Sequence, residues 1–330
     1  MAEQEIKKIL DGDDRTLATI ISLIERDSPQ VPGIMKSIAA HTGKAYKIGI
    51  TGPPGVGKST LIDSLTSLIR KQGSSVAILA VDPTSPFKGG AMLGDRVRMQ
   101  RHYTDEGVFI RSMATRGVKG GLTGAINEII DLMDAAGKRY ILLETVGVGQ
   151  SELDIAGYVD TVVVVLVPDM GDSIQAMKAG IMEIADIFVV NKSDLAGVDR
   201  LVNNLNITLG LNKGRGEWQI PVLKCRADQN DGVEDLLDKI LQHKDLLEKG
   251  GRLEERRGRQ RLQQFEQMLE HKILAEIKSK ILDSGKLNEL GNKIKRGEIS
   301  PYTALNRIMK TGIPSFFSRK THVSTDKRSK

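Results

Sequence analysis

The chain has 330 residues, 40% hydrophobic and 27% charged, with one cysteine and a formal charge of +6. That balance excludes a disordered or disulfide-stapled protein and leaves room for one large domain plus an appended element. The charge does not argue for a nucleic-acid partner: from Ser318 onward Arg319, Lys320, Lys327, Arg328 and Lys330 face only Asp326, so a solvated, disordered basic tail over 318–330 carries most of it.

In chain order, residues 1–45 read as short leading helices. Leu17, Ile20, Ile21 and Ile24 fall at helical spacing, and Pro29 and Pro32 break the pattern. From Tyr46 short apolar runs alternate with helical stretches: Ile48 to Thr51, Val76 to Val81, Val108 to Ile110, Tyr140 to Leu143, Thr161 to Val167, Ile187 to Val190 and Val222 to Lys224. Over 46–248 this alternation predicts an α/β domain, a mostly parallel sheet with helices on both faces. After Cys225 the pattern is purely helical. Asp231 with Glu234 reads as a capping box for a helix that Gly250 and Gly251 stop. In the helical extension 249–317, Leu262, Phe265, Leu269, Ile273, Ile277 and Ile281 form one apolar stripe, and Ser300 with Pro301 starts a last helix. The stripe suits either packing onto the sheet or a dimerisation arm.

Cys225 forms no intrachain disulfide, and MAEQEIKKILDGDD lacks both a signal-peptide core and a transit-peptide composition. The expected compartment is therefore the reducing cytoplasm. The longest apolar run, Val162 to Val167, is too short to span a bilayer.

The segment Gly52, Pro53, Pro54, Gly55, Val56, Gly57, Lys58, Ser59, Thr60 matches the Walker A pattern between a strand and a helix. Its glycines let backbone N–H groups face phosphates, and the helix adds the positive end of its dipole. Lys58 then reaches the β- and γ-phosphates and Ser59 supplies an oxygen to Mg2+. Asp82, Asp95 and Glu144 are acids at or after strand ends, which serve as magnesium ligands, helix caps or solvated charges. Glu144 stands apart, because the T-V-G after it makes a Walker B arrangement with Gly147 N–H near the γ-phosphate.

Asn191, Lys192 and Asp194, in N-K-S-D after an apolar strand, fit the guanine motif. Asp194 accepts from guanine N1–H and the N2 amino group, a donor pair that adenine lacks. Cys225, Arg226 and Ala227 occupy the second guanine loop, where Cys225 and Arg226 depart from the common S-A; Ala227 N–H is the expected partner of O6. Val148 stands where Ras-like proteins carry the water-orienting glutamine, so unassisted hydrolysis should be slow. Gln150 and Lys178 are candidates to complete the catalytic set beside Lys58 and Glu144, although Lys178 reads equally well as a solvated helix residue.

VDPTSPFKGGAMLGDRVRM, ETVGVGQSE, GIMEIADIFVVNKSD and GEISPYTALNRI resemble the MeaB/ArgK (methylmalonic aciduria type A) GTPases, in the G3E group of SIMIBI-class P-loop proteins. The resemblance implies that Lys58 and Ser59 hold phosphate, that Asp82, Asp95 and Glu144 surround Mg2+, and that Asn191, Lys192 and Asp194 hold the guanine of GTP or GDP. It also implies a chaperone that gates cofactor loading and protects an adenosylcobalamin-dependent acyl-CoA mutase, such as methylmalonyl-CoA mutase. A homodimer joined by the C-terminal helices and a mutase-responsive switch over Asp169 to Lys178 are further implications. The alternatives are a kinase or ATPase linked to amino-acid transport, against which N-K-S-D argues, and a metallochaperone GTPase, for which the scattered histidines are a poor ligand set.

Overall fold

Apolar runs buried on both faces read as near-continuous Val, Ile and Leu, and in the computed structural model they pair as parallel strands. The structure describes residues 3–83, 99–115, 125–145, 151–168, 180–211, 217–283 and 286–311. Among these, β1 (Tyr46–Thr51), β2 (Val76–Pro83), β3 (Val108–Thr115), β4 (Tyr140–Thr145), β5 (Thr161–Leu166), β6 (Ile187–Val190) and β7 (Val222–Lys224) form a seven-stranded sheet. Its order is β3-β2-β4-β1-β5-β6-β7, with every pair parallel. The α/β parallel architecture is the one read from the sequence.

Alternate residues of each strand feed opposite cores. Ala77, Leu79, Ile141, Leu143, Val162 and Val164 pack with the leading helices α1 (Glu3–Leu10), α2 (Asp14–Glu25) and α3 (Val31–Ile38). Ile48, Ile50, Ile78, Leu142, Val163 and Val165 instead meet α4 (Lys58–Lys71) through Leu61, Leu65 and Ile69. Each such fully buried side chain contributes roughly 1.5–3 kcal/mol, so the sheet is held from both sides.

The helix signals were read partly right. Asp13 caps α2 by accepting the Thr16 N–H at 2.8 Å. Pro32 opens α3 at its first turn rather than only ending what precedes it. On the first core face lie α5 (Ala125–Ala135), α6 (Ser151–Asp154), α7 (Ile181–Ile184) and α8 (Val198–Leu211). The helix α9 (Val233–Lys249) corrects the expected capping box. Its N-cap is Gly232, left-handed at φ 71°, with no side-chain cap. Asp231 lies one residue before the cap, its main chain bridged to Arg226 with N–H to carbonyl in both directions, and Glu234 falls at the second helical position rather than the third. A Cβ at Gly232 would collide with the Lys224 carbonyl, so the tight turn selects glycine.

The helix α10 (Arg252–Asp283) is followed by α11 (Lys286–Lys295) and α12 (Pro301–Thr311). The compact units divide within α10, at Gln263 and Gln264. In the first unit, Arg257 donates to both carboxylate oxygens of Asp160 at 3.0 and 2.6 Å and to the Gly43 and Ala45 carbonyls. Asp160 is fully buried, so these bonds replace its lost hydration. In the second unit Ser300 Oγ accepts the Thr303 N–H at 3.1 Å and starts α12 as expected. Leu262, Phe265, Leu269 and Ile273 of the α10 stripe are 41 to 59% exposed. Among the described residues no helix is long and apolar enough to cross a membrane.

Candidate functional site

In open parallel sheets, ligands bind beyond the carboxyl ends of the strands, where the strand order switches direction. Here β1 lies between β4 and β5, and the phosphate loop leaves its carboxyl end. Gly52 adopts φ 140°, and a Cβ there would run into the Val165 carbonyl. Gly57 adopts φ 92° and opens α4 without a side-chain cap. A Cβ at Gly57 would meet the Asn191 amide, so the loop is a cradle that side chains would fill.

Lys58 begins α4, is buried, and its ammonium donates to the Gly52 and Pro53 carbonyls at 2.6 and 2.9 Å. The charge therefore sits over the loop it is expected to serve. Beside it, Ser59 donates to Glu144 Oε1 at 2.7 Å, with both residues buried. A hydroxyl and a carboxylate side by side are hard oxygen donors, the chemistry that Mg2+ takes when phosphates supply further ligands. Thr145 Oγ1 donates to Thr51 Oγ1 at 2.9 Å, fixing the ends of β4 and β1 together.

The guanine-motif loop is built onto the phosphate loop. Asn191 Nδ2 donates to the Val56 carbonyl at 2.8 Å, and Lys192 Nζ donates to the Gly55 carbonyl at 2.9 Å. Lys192 is left-handed at φ 55°, a conformation in which the chain turns sharply between Asn191 and Asp194. Asn191 Oδ1 accepts the Ala227 N–H at 3.1 Å, the N–H that the sequence reading offered to guanine O6. Ser193 N–H donates to the Cys225 carbonyl at 3.0 Å. Ser64 of α4 donates to the Ala227 carbonyl at 2.9 Å, closing the ring of contacts.

The structure thus brings Lys58, Ser59, Glu144, Asn191, Lys192 and Ala227 into one connected site. Asp82 lies on β2, paired with Ala114 in register, but its side chain is outside the described residues, as are Asp95, Gly147, Gln150 and Lys178 altogether. One residue of this neighbourhood, Glu152, and one pairing, that of Arg226, lie outside the sequence-based expectations. Glu152 of α6 is half-buried; burial raises its carboxyl above the ordinary range while the Lys58 cation pulls the other way. Its place directly after the G-x-G-Q-S run was the available signal. Arg226 places Nε 3.7 Å from Asp194 and 3.5 Å from Asp228, a pairing that only the folded loops create.

Comparison with known proteins identifies the family and agrees with the fold. The family profile described as methylmalonyl Co-A mutase-associated GTPase MeaB matches residues 17–281. A Pyrococcus abyssi protein provisionally described as a GTPase is 47% identical over 313 residues, 94% of this chain and 96% of that one. The mitochondrial methylmalonic aciduria type A homolog of Mus musculus is 34% identical over 269 residues, 80% of this chain and 65% of its own. A crystal structure of a LAO/AO transport system kinase is similar with a TM-score of 0.69 at 27% identity, covering 94% of this chain and 98% of that one.

Proposed function

The chain belongs to the MeaB family of GTPases, and we propose that it uses GTP to gate cofactor loading and protection of an adenosylcobalamin-dependent acyl-CoA mutase. The observation that carries the nucleotide part is the Asn191 and Lys192 contact with the phosphate loop, which joins base recognition to phosphate recognition. The mutase part is supported by the family's description and by the mouse relative's name.

In this reading Asp194 accepts from the guanine edge, Asn191 and Lys192 hold the base loop against the phosphates, and Lys58 exchanges its carbonyl partners for β- and γ-phosphate oxygens. Ser59 and Glu144 would hold Mg2+, together with Asp82 and Asp95. The ion, when bound, neutralises charge that develops on the phosphates. Glu152, whose carboxyl feels the Lys58 cation, would accept a proton near the reacting phosphate, and Gln150 is the candidate to orient water. Val148 in place of a glutamine leaves turnover slow until a partner completes the site, with Lys178 in the expected switch segment. We further propose that the α10 stripe joins two copies of the chain, which would cover its exposed Leu262, Phe265, Leu269 and Ile273.

The test is GTP turnover measured with and without an adenosylcobalamin mutase. The expected result is a rise in turnover and co-elution of the two proteins with a GTP analogue. Unchanged turnover together with no complex would sink the chaperone reading while leaving the GTPase intact.

A further inference from the structure

Arg226 departs from the usual second guanine loop, and the fold gives its side chain a fixed base. The Arg226 N–H and carbonyl are both tied to Asp231, at 2.9 and 3.2 Å. Cys225 is buried, with Sγ donating to the Gly232 carbonyl at 3.1 Å, and its own carbonyl accepts the Ser193 N–H at 3.0 Å. These bonds hold the loop that carries Arg226 against the loop that carries Asp194. The guanidinium then lies between Asp194 and Asp228, and Nε is buried with no hydrogen bond to either carboxylate.

A guanidinium presents adjacent N–H groups to a carboxylate in the way that guanine presents N1–H and its N2 amino group. Both would draw on Asp194, whose Oδ1 the Arg226 Nε approaches to 3.7 Å. We propose that Arg226 is a built-in competitor for the guanine-reading carboxylate: in the nucleotide-free site it takes up Asp194, and it thereby shortens the residence time of bound nucleotide. Asp228 is the alternative seat for the cation, so the two carboxylates set how strongly Arg226 competes. The inference rests on the reading of Asp194 as the guanine acceptor. Asp194 and Arg226 are both more than a third exposed, at 45 and 40%, so solvent screens the pair and the effect is modest.

The experiment follows release of a fluorescent GDP from the full chain by stopped flow. Arg226→Ala is expected to slow release roughly threefold, the size of an exposed ion pair. Asp228→Ala, which leaves Asp194 as the only seat of the two, is expected to speed it. Raising the salt should slow release from the parent protein and leave Arg226→Ala nearly unchanged, because the competition is electrostatic. A rate in Arg226→Ala that is equal to the parent's or faster overturns the competitor. Asp194→Asn separates the two levels: a gain of xanthosine diphosphate binding at the expense of GDP supports the guanine reading, and no such exchange overturns that reading itself. Melting curves of all three variants identify any loss of release control that comes from unfolding.

Discussion

The side-chain amide of Asn191 donates to the Val56 carbonyl at 2.8 Å, and its oxygen accepts the Ala227 N–H at 3.1 Å. One buried side chain therefore joins the phosphate loop to both loops around the base position. Asn191→Ala would orphan a buried acceptor and a buried donor, each costing about 1–3 kcal/mol. We expect GDP affinity to fall by about 10- to 100-fold, read by calorimetry. Affinity within twofold of the parent would show that the loops hold together without it.

Ser59 and Glu144 are bonded to each other and proposed to share the ion. Ser59→Ala should lower single-turnover GTP hydrolysis by about 100-fold, the usual loss when one preorganised charge-stabilising group is removed. GDP binding measured in excess chelator should change little, which separates ion chemistry from base recognition. Equal hydrolysis by both proteins would remove Ser59 from the ion site.

Arg257 and Asp160 form a buried pair at 2.6 Å on the face opposite the nucleotide loops, at the amino end of β5. Removing the arginine leaves buried Asp160 with the Lys47 N–H at 2.9 Å and the Lys47 ammonium at 3.9 Å, and breaking such a pair costs up to about 3–5 kcal/mol. Arg257→Ala should accordingly lower the melting temperature by many degrees, whereas an exposed change such as Arg259→Ala should not. A melt that matches the parent's would mean that the Lys47 donors suffice for Asp160.

Burial lifts the Glu128 carboxyl to about 7 from an ordinary 4.5, and Asp131 and Asp27 add like charge. Between those values the folded chain holds a proton that the unfolded chain has released. Stability therefore falls as pH rises through that window, and the loss is complete above the folded value. Glu128→Gln removes the ionisable group, so in denaturant unfolding the variant should be more stable than the parent at about pH 8 by on the order of 2 kcal/mol, with the gain vanishing near pH 4. A gain of the same size at both pH values would assign it to something other than ionisation.

The α10 stripe leaves Phe265 59% exposed in the single chain. If two copies bury it, Phe265→Glu combined with Leu269→Glu should convert a dimer to a monomer in light scattering while the circular-dichroism spectrum stays helical. A monomeric parent protein would overturn the proposed pairing.

Much of this architecture was legible because the strands are buried on both faces and so are written as apolar runs, as in Val162 to Val165 and Ile187 to Val190. The phosphate loop and N-K-S-D were legible because each is a local string whose chemistry is carried by neighbouring residues. The Asp231 capping box fails by one residue: the turn that bridges Arg226 and Asp231 puts the cap at Gly232, so Glu234 comes one position too early to close a box. The approach of Arg226 to Asp194 and the influence of Lys58 on the Glu152 carboxyl join residues far apart in the chain, which no spacing rule reports. The proposed ligand Asp95 and the catalytic candidates Gln150 and Lys178 fall outside the described residues and rest on sequence alone.

Cys225 is the chain's one thiol, buried, bonded to the Gly232 carbonyl and pushed by burial up to about 12. Almost none of it is thiolate near neutrality, and alkylating reagents act on the thiolate. Burial and the raised thiol together disfavour reaction with maleimides. A cysteine introduced on the solvent side of α10 would be the single labelled position, and an attached dye could follow that helix through a turnover cycle without first stripping the native residue.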